Sequence, residues 1–128
     1  MKLLLDTVAA LYLWAGDTRL SRTVARAIAD SSNELVFHQV SYLEITLKYS
    51  LGKLPLAEPP ATLVPKALKA YQMRYSPLSN ADIRGLEELP FHHRDPFDRL
   101  LIVHSCQHQL VLATPDRSLR SYGVPMIW

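Results

Sequence analysis

"KLLLDTVAALYLWAG", residues 2–16, decides how the rest of the chain is read. Three leucines follow Lys2 without polar interruption, and a short unalternating apolar run is a strand buried on both faces. Aspartate is a poor strand former, so Asp6 ends the run. Residues 7–15 then predict a helix, and Gly16 stops it. A doubly buried strand that feeds directly into a helix is the opening unit of a parallel sheet.

The pattern recurs along the chain. Residues 18–31 predict an amphipathic helix with Leu20, Val24 and Ile28 on its apolar side. "ELVFHQV", 34–40, is a second strand, and "SYLEITLKYSLG" follows as a helix capped by Ser41 and stopped at Gly52. The stretch from Pro55 to Pro65 reads as a linker or rigid turn. Helices are expected near 62–74 and 79–88, the second opening at Ser79, and another over 96–109. "QLVLAT", 109–114, is a strand with Asp116 just beyond it. A short helix near 117–122 then leads to "VPMIW", an edge strand. Strands alternating with helices make an α/β domain with a mostly parallel sheet, in one unit over 1–128. Ligands of such sheets sit at the carboxyl ends of strands, where Asp6 and Asp116 are placed.

Composition narrows the classes. With 48% hydrophobic and 20% charged residues, the 128-residue chain can bury a core and does not resemble a disordered segment. No apolar run reaches the 18 residues a membrane helix needs. The N-terminus imitates a signal peptide, but Asp6 interrupts its apolar region and no small-residue cleavage site follows, so it is read as mature sequence. Cys106 is the only cysteine, which excludes an intrachain disulfide and a thiolate metal cluster and suits a cytoplasmic setting. The net charge is only +2, yet setting aside four of the 12 acids as a neutralised pocket leaves 14 basic against eight acidic side chains. A basic surface around an acidic hole suits a polyanion.

Each acid has an ordinary explanation and a chemical one. In "HRDPFDRLL", 93–101, Asp95 suits the N-cap of a helix whose first residue is Pro96. Asp98, in the first turn of an apolar helix, is read equally well as a partner of the helix dipole or as a metal ligand. Glu44 forms Ser41-x-x-Glu44, a capping-box spacing, and Lys48 stands one turn further on. Asp6 and Asp116 can each cap the element that follows. Together, two acids at strand ends and two in the first turns of helices can converge, and four converging carboxylates need a cation. Oxygen-only donors suit Mg²⁺ or Mn²⁺.

Other residues carry weaker signals. His104 and His108 have the i, i+4 spacing of a helical zinc pair but lack the accompanying glutamate, and a partly exposed helix end explains them better. His92 and His93 precede the Asp95 turn as loop residues or substrate contacts. Arg94 and Arg99 can bind phosphate or neutralise the acids. Thr7 and Thr114 adjoin site candidates and can hydrogen-bond a carboxylate. No phosphate-binding glycine loop and no nucleophile-elbow motif occurs.

"LLLDT", "SYLEITLKYSLGKL", "HHRDPFDRLLIVHS", "LVLATPD" and "YGVPMIW" together resemble PIN-domain proteins, and among them the VapC-type toxin ribonucleases. The likeness runs from one terminus to the other, and "DPFDRLL" with "GKL" is its most specific part. It implies a PIN-like α/β/α sandwich around a mostly parallel sheet, with an acidic pocket for Mg²⁺ or Mn²⁺. By the resemblance, Asp6, Glu44, Asp98 and Asp116 are catalytic metal ligands. Asp95, Thr7 and Thr114 are secondary to them, and Arg94, Arg99, His93 and Lys48 are candidate substrate contacts. The implied activity is metal-dependent endoribonuclease hydrolysis with a metal-activated water. The implied partners are an RNA substrate (tRNA among the candidates), a cognate antitoxin and a second copy in a homodimer, with no membrane. Relatives with this block pattern often have histidine where this chain has Val8. A non-catalytic PIN-like module binding RNA or protein is the alternative. A small Mg²⁺ phosphatase is a weaker one, because Asp6 is followed by Thr7 and Val8 and not by a second aspartate two residues on.

Overall fold

The computed structural model describes residues 1–128. The elements in chain order are β1 (Lys2–Leu5), α1 (Thr7–Ala15), α2 (Arg22–Ala29), β2 (Glu34–His38), α3 (Gln39–Ser50), α4 (Pro60–Ala70), β3 (Arg74–Ser76), α5 (Asn80–Glu88), α6 (Pro96–His108), β4 (Val111–Ala113) and β5 (Met126–Ile127). A 3₁₀ turn, Arg117–Tyr122, precedes β5. The five strands pair in the order β3-β2-β1-β4-β5, and every pairing is parallel.

Side-chain alternation divides the core into two layers. Leu3, Leu5, Leu35, Phe37 and Ala113 face one side and pack with Ala9, Val24 and Val64 from α1, α2 and α4. Leu4, Val36 and Leu112 face the other, against Leu100, Leu101 and Ile102 of α6 and Leu119 of the 3₁₀ turn. Helix α3 serves both, with Val40 in the second layer and Ile45 in the first. The result is the expected α/β/α sandwich, and both faces of β1 are covered, which is why its three leucines need no polar alternation.

Register fixes what leaves the sheet at its carboxyl edge. Leu5 is level with Phe37 and with Ala113, and His38 is level with Ser76. Asp6, His38, Ser76 and Thr114 therefore form one row, two residues beyond the layer that packs on α6.

Several boundaries differ from the sequence expectation. The helix expected over 18–31 is the shorter α2, because the Ser21 hydroxyl accepts from Val24 N–H and starts it late. The second strand ends at His38, and α3 starts at Gln39 in place of Ser41. The proline-rich linker is helical from Pro60, with Pro65 inside α4. An interior proline costs about 3 kcal/mol, and burial of Val64 and Ala67 on either side of it offsets that. Strand β3 lies where the sequence predicts the end of a helix; its three residues, Arg74, Tyr75 and Ser76, are too few and too polar to announce a strand. No helix is long and apolar enough to cross a membrane.

Helix α5 approaches α6 closely at Gly85, where an added Cβ would land on Cγ1 of buried Val103. Alanine in place of glycine gains about 1 kcal/mol of helix propensity. Overpacking against a stiff β-branched side chain costs about 1–3 kcal/mol. Gly85→Ala is therefore expected to lower stability by about 1 kcal/mol net, read as a lower urea midpoint with unchanged slope; a rise in the midpoint would show that the helices separate freely.

Candidate functional site

Asp6 follows β1 directly and caps α1, its Oδ1 accepting Ala9 N–H at 2.7 Å. It is 3% exposed, and burial, reinforced by the charges of Glu44 and Asp116, pushes its pKa up to about 6 against hydrogen bonds from Thr114 and Ala9. The cap reading and the site reading of Asp6 are therefore compatible: one oxygen holds the helix while the group remains strained by nearby acids.

Asp95 is the N-cap of α6, its Oδ1 accepting from Phe97 N–H at 2.8 Å and Asp98 N–H at 3.4 Å, with Pro96 at the first helical position. That cap aims the first turn, and Asp98 in it points at the other acids. Burial pushes Asp98 up to about 7, with Asp95, Asp6 and Glu44 adding repulsion and His93 opposing it.

Glu44 is buried in α3 and its Oε2 accepts from Lys48 Nζ at 2.6 Å, so the expected i, i+4 pair is present. The capping box expected at Ser41 is not. His38 takes the N-cap, its Nδ1 accepting Val40 N–H, and Ser41 lies inside the helix with its hydroxyl buried and unpartnered. Glu44, released from capping, is free to face the pocket.

Asp116 lies three residues beyond β4, with Thr114 and Pro115 between, and caps the 3₁₀ turn. Its Oδ1 accepts from the Ser118 N–H at 2.9 Å and the Ser118 hydroxyl at 2.6 Å. Burial works to raise its pKa, but the Ser118 hydrogen bonds and the nearby His93 outweigh this and hold it below the usual carboxylate range.

His93 ties the two ends of the pocket together. Its Nδ1 accepts Asp95 N–H at 3.1 Å, which leaves the ring proton on Nε2, 3.2 Å from Asp116 Oδ2 and 3.9 Å from Asp98 Oδ2. His93, Asp98 and Asp116 thus offer ligand atoms within 4.8 Å of one another. Asp6 and Glu44 join them through charge, since each raises the pKa of Asp98. The sequence signal for His93 was its place two residues before the Asp95 cap, where a ring nitrogen can reach the cap's N–H. Lys48 stands at the rim, half exposed, and Arg94 is exposed beside His93.

Arg99 belongs elsewhere. It is 5% exposed, donates to the carbonyls of Leu86, Leu89 and Pro90 and to the Tyr122 hydroxyl, and stacks 3.9 Å from the Phe91 ring centroid. It braces the loop between α5 and α6, with both terminal guanidinium nitrogens committed to that loop and to Tyr122. Nor does His104 lie at a partly exposed helix end; it is 2% exposed and hydrogen-bonded on both ring nitrogens.

The donor set fits a divalent cation. Four carboxylates gather without enough positive charge nearby, and burial, reinforced by repulsion from the neighbouring acids, raises the pKa of Asp6 and Asp98 well above the ordinary range. Next to Asp6, the Thr7 hydroxyl is buried without a partner, as is that of Ser41 one turn before Glu44. Hard oxygen donors in excess of their protons are what Mg²⁺ or Mn²⁺ requires.

The PIN domain family profile matches residues 3–125. No curated protein sequence matches the chain. Among solved structures, a chain of VapBC2 from Rickettsia felis, bound to a DNA fragment from its promoter, is similar at 14% identity and a TM-score of 0.74. That match covers 100% of this chain and 99% of the other. A chain of DNA-bound VapBC from Salmonella typhimurium gives 15% identity and a TM-score of 0.71, over 99% and 97%. A chain of FitAcB from Neisseria gonorrhoeae gives 17% and 0.69, over 98% and 96%. At these identities the likeness is one of fold.

Folded Asp6 and Asp98 retain protons to pH about 6 and about 7, whereas the ordinary value is 3.8. The contribution of these two groups to the stability of the chelated protein therefore falls as pH rises from about 4 to about 7, while His38 and His104, whose pKa values burial lowers, contribute a slope of opposite sign. Thermal melts in chelator should show Asp98→Asn gaining melting temperature over the unsubstituted chain between pH 5 and pH 8, since the histidines are common to both. A difference between the two proteins that does not change with pH would refute the raised pKa of Asp98.

Proposed function

The chain belongs to the PIN domain family, and on that premise we propose that it is a metal-dependent endoribonuclease acting as the toxin of a toxin–antitoxin pair. The observation that carries this reading is the pair of buried carboxyls, Asp6 and Asp98, whose pKa values are raised to about 6 and about 7 in a pocket shared with Glu44. Acids so placed cost stability unless a cation compensates them, and a fold does not need them for packing.

Asp6, Glu44, Asp98 and Asp116 would hold Mg²⁺ or Mn²⁺, which supplies charge for the scissile phosphate and lowers the pKa of water at that position. The chain's own groups act around it. Ala9 N–H holds one oxygen of the Asp6 carboxyl and so orients it, with Thr114 beside it lowering its pKa against burial. Asp95 fixes the start of α6 and with it the direction of Asp98. Lys48 pairs with the buried Glu44 carboxylate and offsets part of its charge. His93 donates from Nε2 to Asp116 at the mouth of the pocket and so orients that carboxylate. Arg94 and Lys48, both exposed at the rim, supply the salt-dependent part of phosphate binding.

Two protein partners belong to this proposal. A cognate antitoxin is supported by a similar solved structure, a toxin–antitoxin complex from Klebsiella pneumoniae. A second copy in a homodimer is supported by Leu43, Leu47 and Leu51, a stripe at helical spacing along α3 that is 44–67% exposed.

The test is cleavage of a total cellular RNA pool with Mg²⁺ or Mn²⁺ and with chelator, comparing the unsubstituted chain with Asp98→Asn. Asparagine keeps the size of the side chain and removes the charge. Cleavage is expected only with the metal, and a lost ligand should reduce it by at least about 100-fold. Equal cleavage by both proteins removes Asp98 from the chemistry, and a folded chain that binds the cation without cutting RNA is the binding module.

A further inference from the structure

The row at the carboxyl edge of the sheet continues past Asp6 into a second polar cluster. His38, Asp82 and His104 are 0–2% exposed, and Ser76 is 6% exposed. Asp98 and His104 both lie on α6, six residues apart, so the cluster is displaced from the acidic pocket by about 9 Å along that helix.

Every proton in the cluster can be placed. His38 Nδ1 accepts Val40 N–H at 2.9 Å, so the proton of that ring is on Nε2, 3.1 Å from Asp82 Oδ2. Ser79 N–H donates to the same oxygen at 3.0 Å. Burial opposes ionisation of Asp82, but the hydrogen bonds from His104, Ser79 and His38 outweigh it and hold its pKa below the ordinary range. An ionised carboxylate only accepts, so His104 carries its proton on Nδ1, 2.8 Å from Asp82 Oδ1. Burial holds His104 neutral. Its Nε2 therefore presents a lone pair, and the Ser76 hydroxyl, 2.8 Å away, donates to it.

The same accounting argues against a cation between His38, Asp82 and His104, although their ligand atoms lie close enough for one. Ligation through His38 Nε2 would force the ring proton onto Nδ1, facing Val40 N–H at 2.9 Å, donor against donor. What remains is an aspartate holding a histidine whose far nitrogen accepts from a serine, the orientation that activates a serine nucleophile.

We propose that Ser76 is a second nucleophile of this chain, with His104 as its general base and Asp82 as the positioning residue, and that it accepts the acyl group of small neutral carboxylic esters. The proposal does not depend on the nuclease reading. Ser76 ends β3 and opens, with His104, onto a cavity of about 470 Å³ whose wall includes Pro77, Ala81, Gln107 and His108. No carboxylate or lysine lines it, which favours an uncharged substrate with a short apolar acyl group. His108, its ring 4.3 Å from that of His104, makes no hydrogen bond within the chain and brings a ring N–H to the same cavity.

In the acyl transfer, Ser76 Oγ attacks the carbonyl carbon while its proton moves to His104 Nε2. The bond from that carbon to the alkoxy oxygen breaks, and the leaving alcohol takes the proton from His104. Water then attacks acyl-Ser76, gives its proton to His104, and releases the carboxylic acid as Ser76 Oγ recovers the proton.

The decisive experiment treats the full chain, in chelator, with a fluorophosphonate probe and locates the adduct by peptide mapping; hydrolysis of p-nitrophenyl acetate is followed in parallel. A single adduct on Ser76 is expected, absent from Ser76→Ala. It should form about 100-fold more slowly in His104→Gln at unchanged circular dichroism. Ester hydrolysis should be lost in Ser76→Ala. Absence of the Ser76 adduct from the folded unsubstituted chain overturns the proposal without reference to any variant, and so does ester hydrolysis that Ser76→Ala leaves unchanged.

Discussion

Leu5 lies level with Phe37 on one side and Ala113 on the other, and this register governs where every important polar group goes. The residues that follow, Asp6, His38 and Thr114, come level at the carboxyl edge of the sheet, and Ser76 extends the row through its pairing with His38. All four have the parity of Leu4, Val36 and Leu112, which pack on α6. A slip of one residue in any central strand would send the corresponding polar group into the opposite layer, among Ala9, Val24 and Val64. The apolar alternation that stabilises the two layers is thus also what aligns the polar edge.

Helix α6 is the second determinant. Its apolar residues Leu100, Leu101 and Ile102 fasten it to the sheet, so its polar members cannot turn away from the edge row. Asp98 meets Asp6 and Glu44 near the helix start, while His104 meets Asp82 and Ser76 almost two turns later. The loop leading into α6 is held by Arg99 on the carbonyls of Leu86, Leu89 and Pro90, and by the Tyr122 hydroxyl accepting from His92 and His93 N–H. An arginine next to an acidic pocket would ordinarily be assigned to substrate, yet here its contribution to chemistry is indirect: it keeps His93 and Asp95 in place.

The strand of leucines, the α1 helix from Thr7 to Ala15 and the Asp95 cap were legible because each depends on neighbours in sequence. The Glu44–Lys48 pair was legible for the same reason. What failed was set by partners far along the chain. Ser41 has a good capping-box spacing, but His38, at a strand end fixed by pairing with β1 and β3, reaches the helix N-terminus first. His104 and His108 carry the same spacing signal, and only Asp82, 22 residues before His104, draws one of them inside. Strand β3 exists because β2 offers it an edge, not because Arg74, Tyr75 and Ser76 favour extension. The resemblance to PIN proteins pointed to four acids that lie near one another in the fold, but it could not foresee His93 bridging Asp116 and Asp98, since that contact depends on a ring nitrogen occupied by the Asp95 N–H.

The two polar groups on this face solve the problem of buried charge in opposite ways. At Asp82 the donors match the acceptors: His38, Ser79 and His104 each bring one proton to the carboxylate, and the negative charge is accommodated without a cation. At Asp6 and Asp98 the balance fails, because Ala9, Thr114 and His93 do not offset the burial and the surrounding acids, and both groups retain protons. A satisfied network of this kind gains nothing from an added ion, whereas an under-compensated one is stabilised by it. That difference separates the groups more firmly than distance does: the acids around Asp98 at the start of α6 carry charge that their neighbours do not offset, whereas the donors around Asp82 match its acceptors.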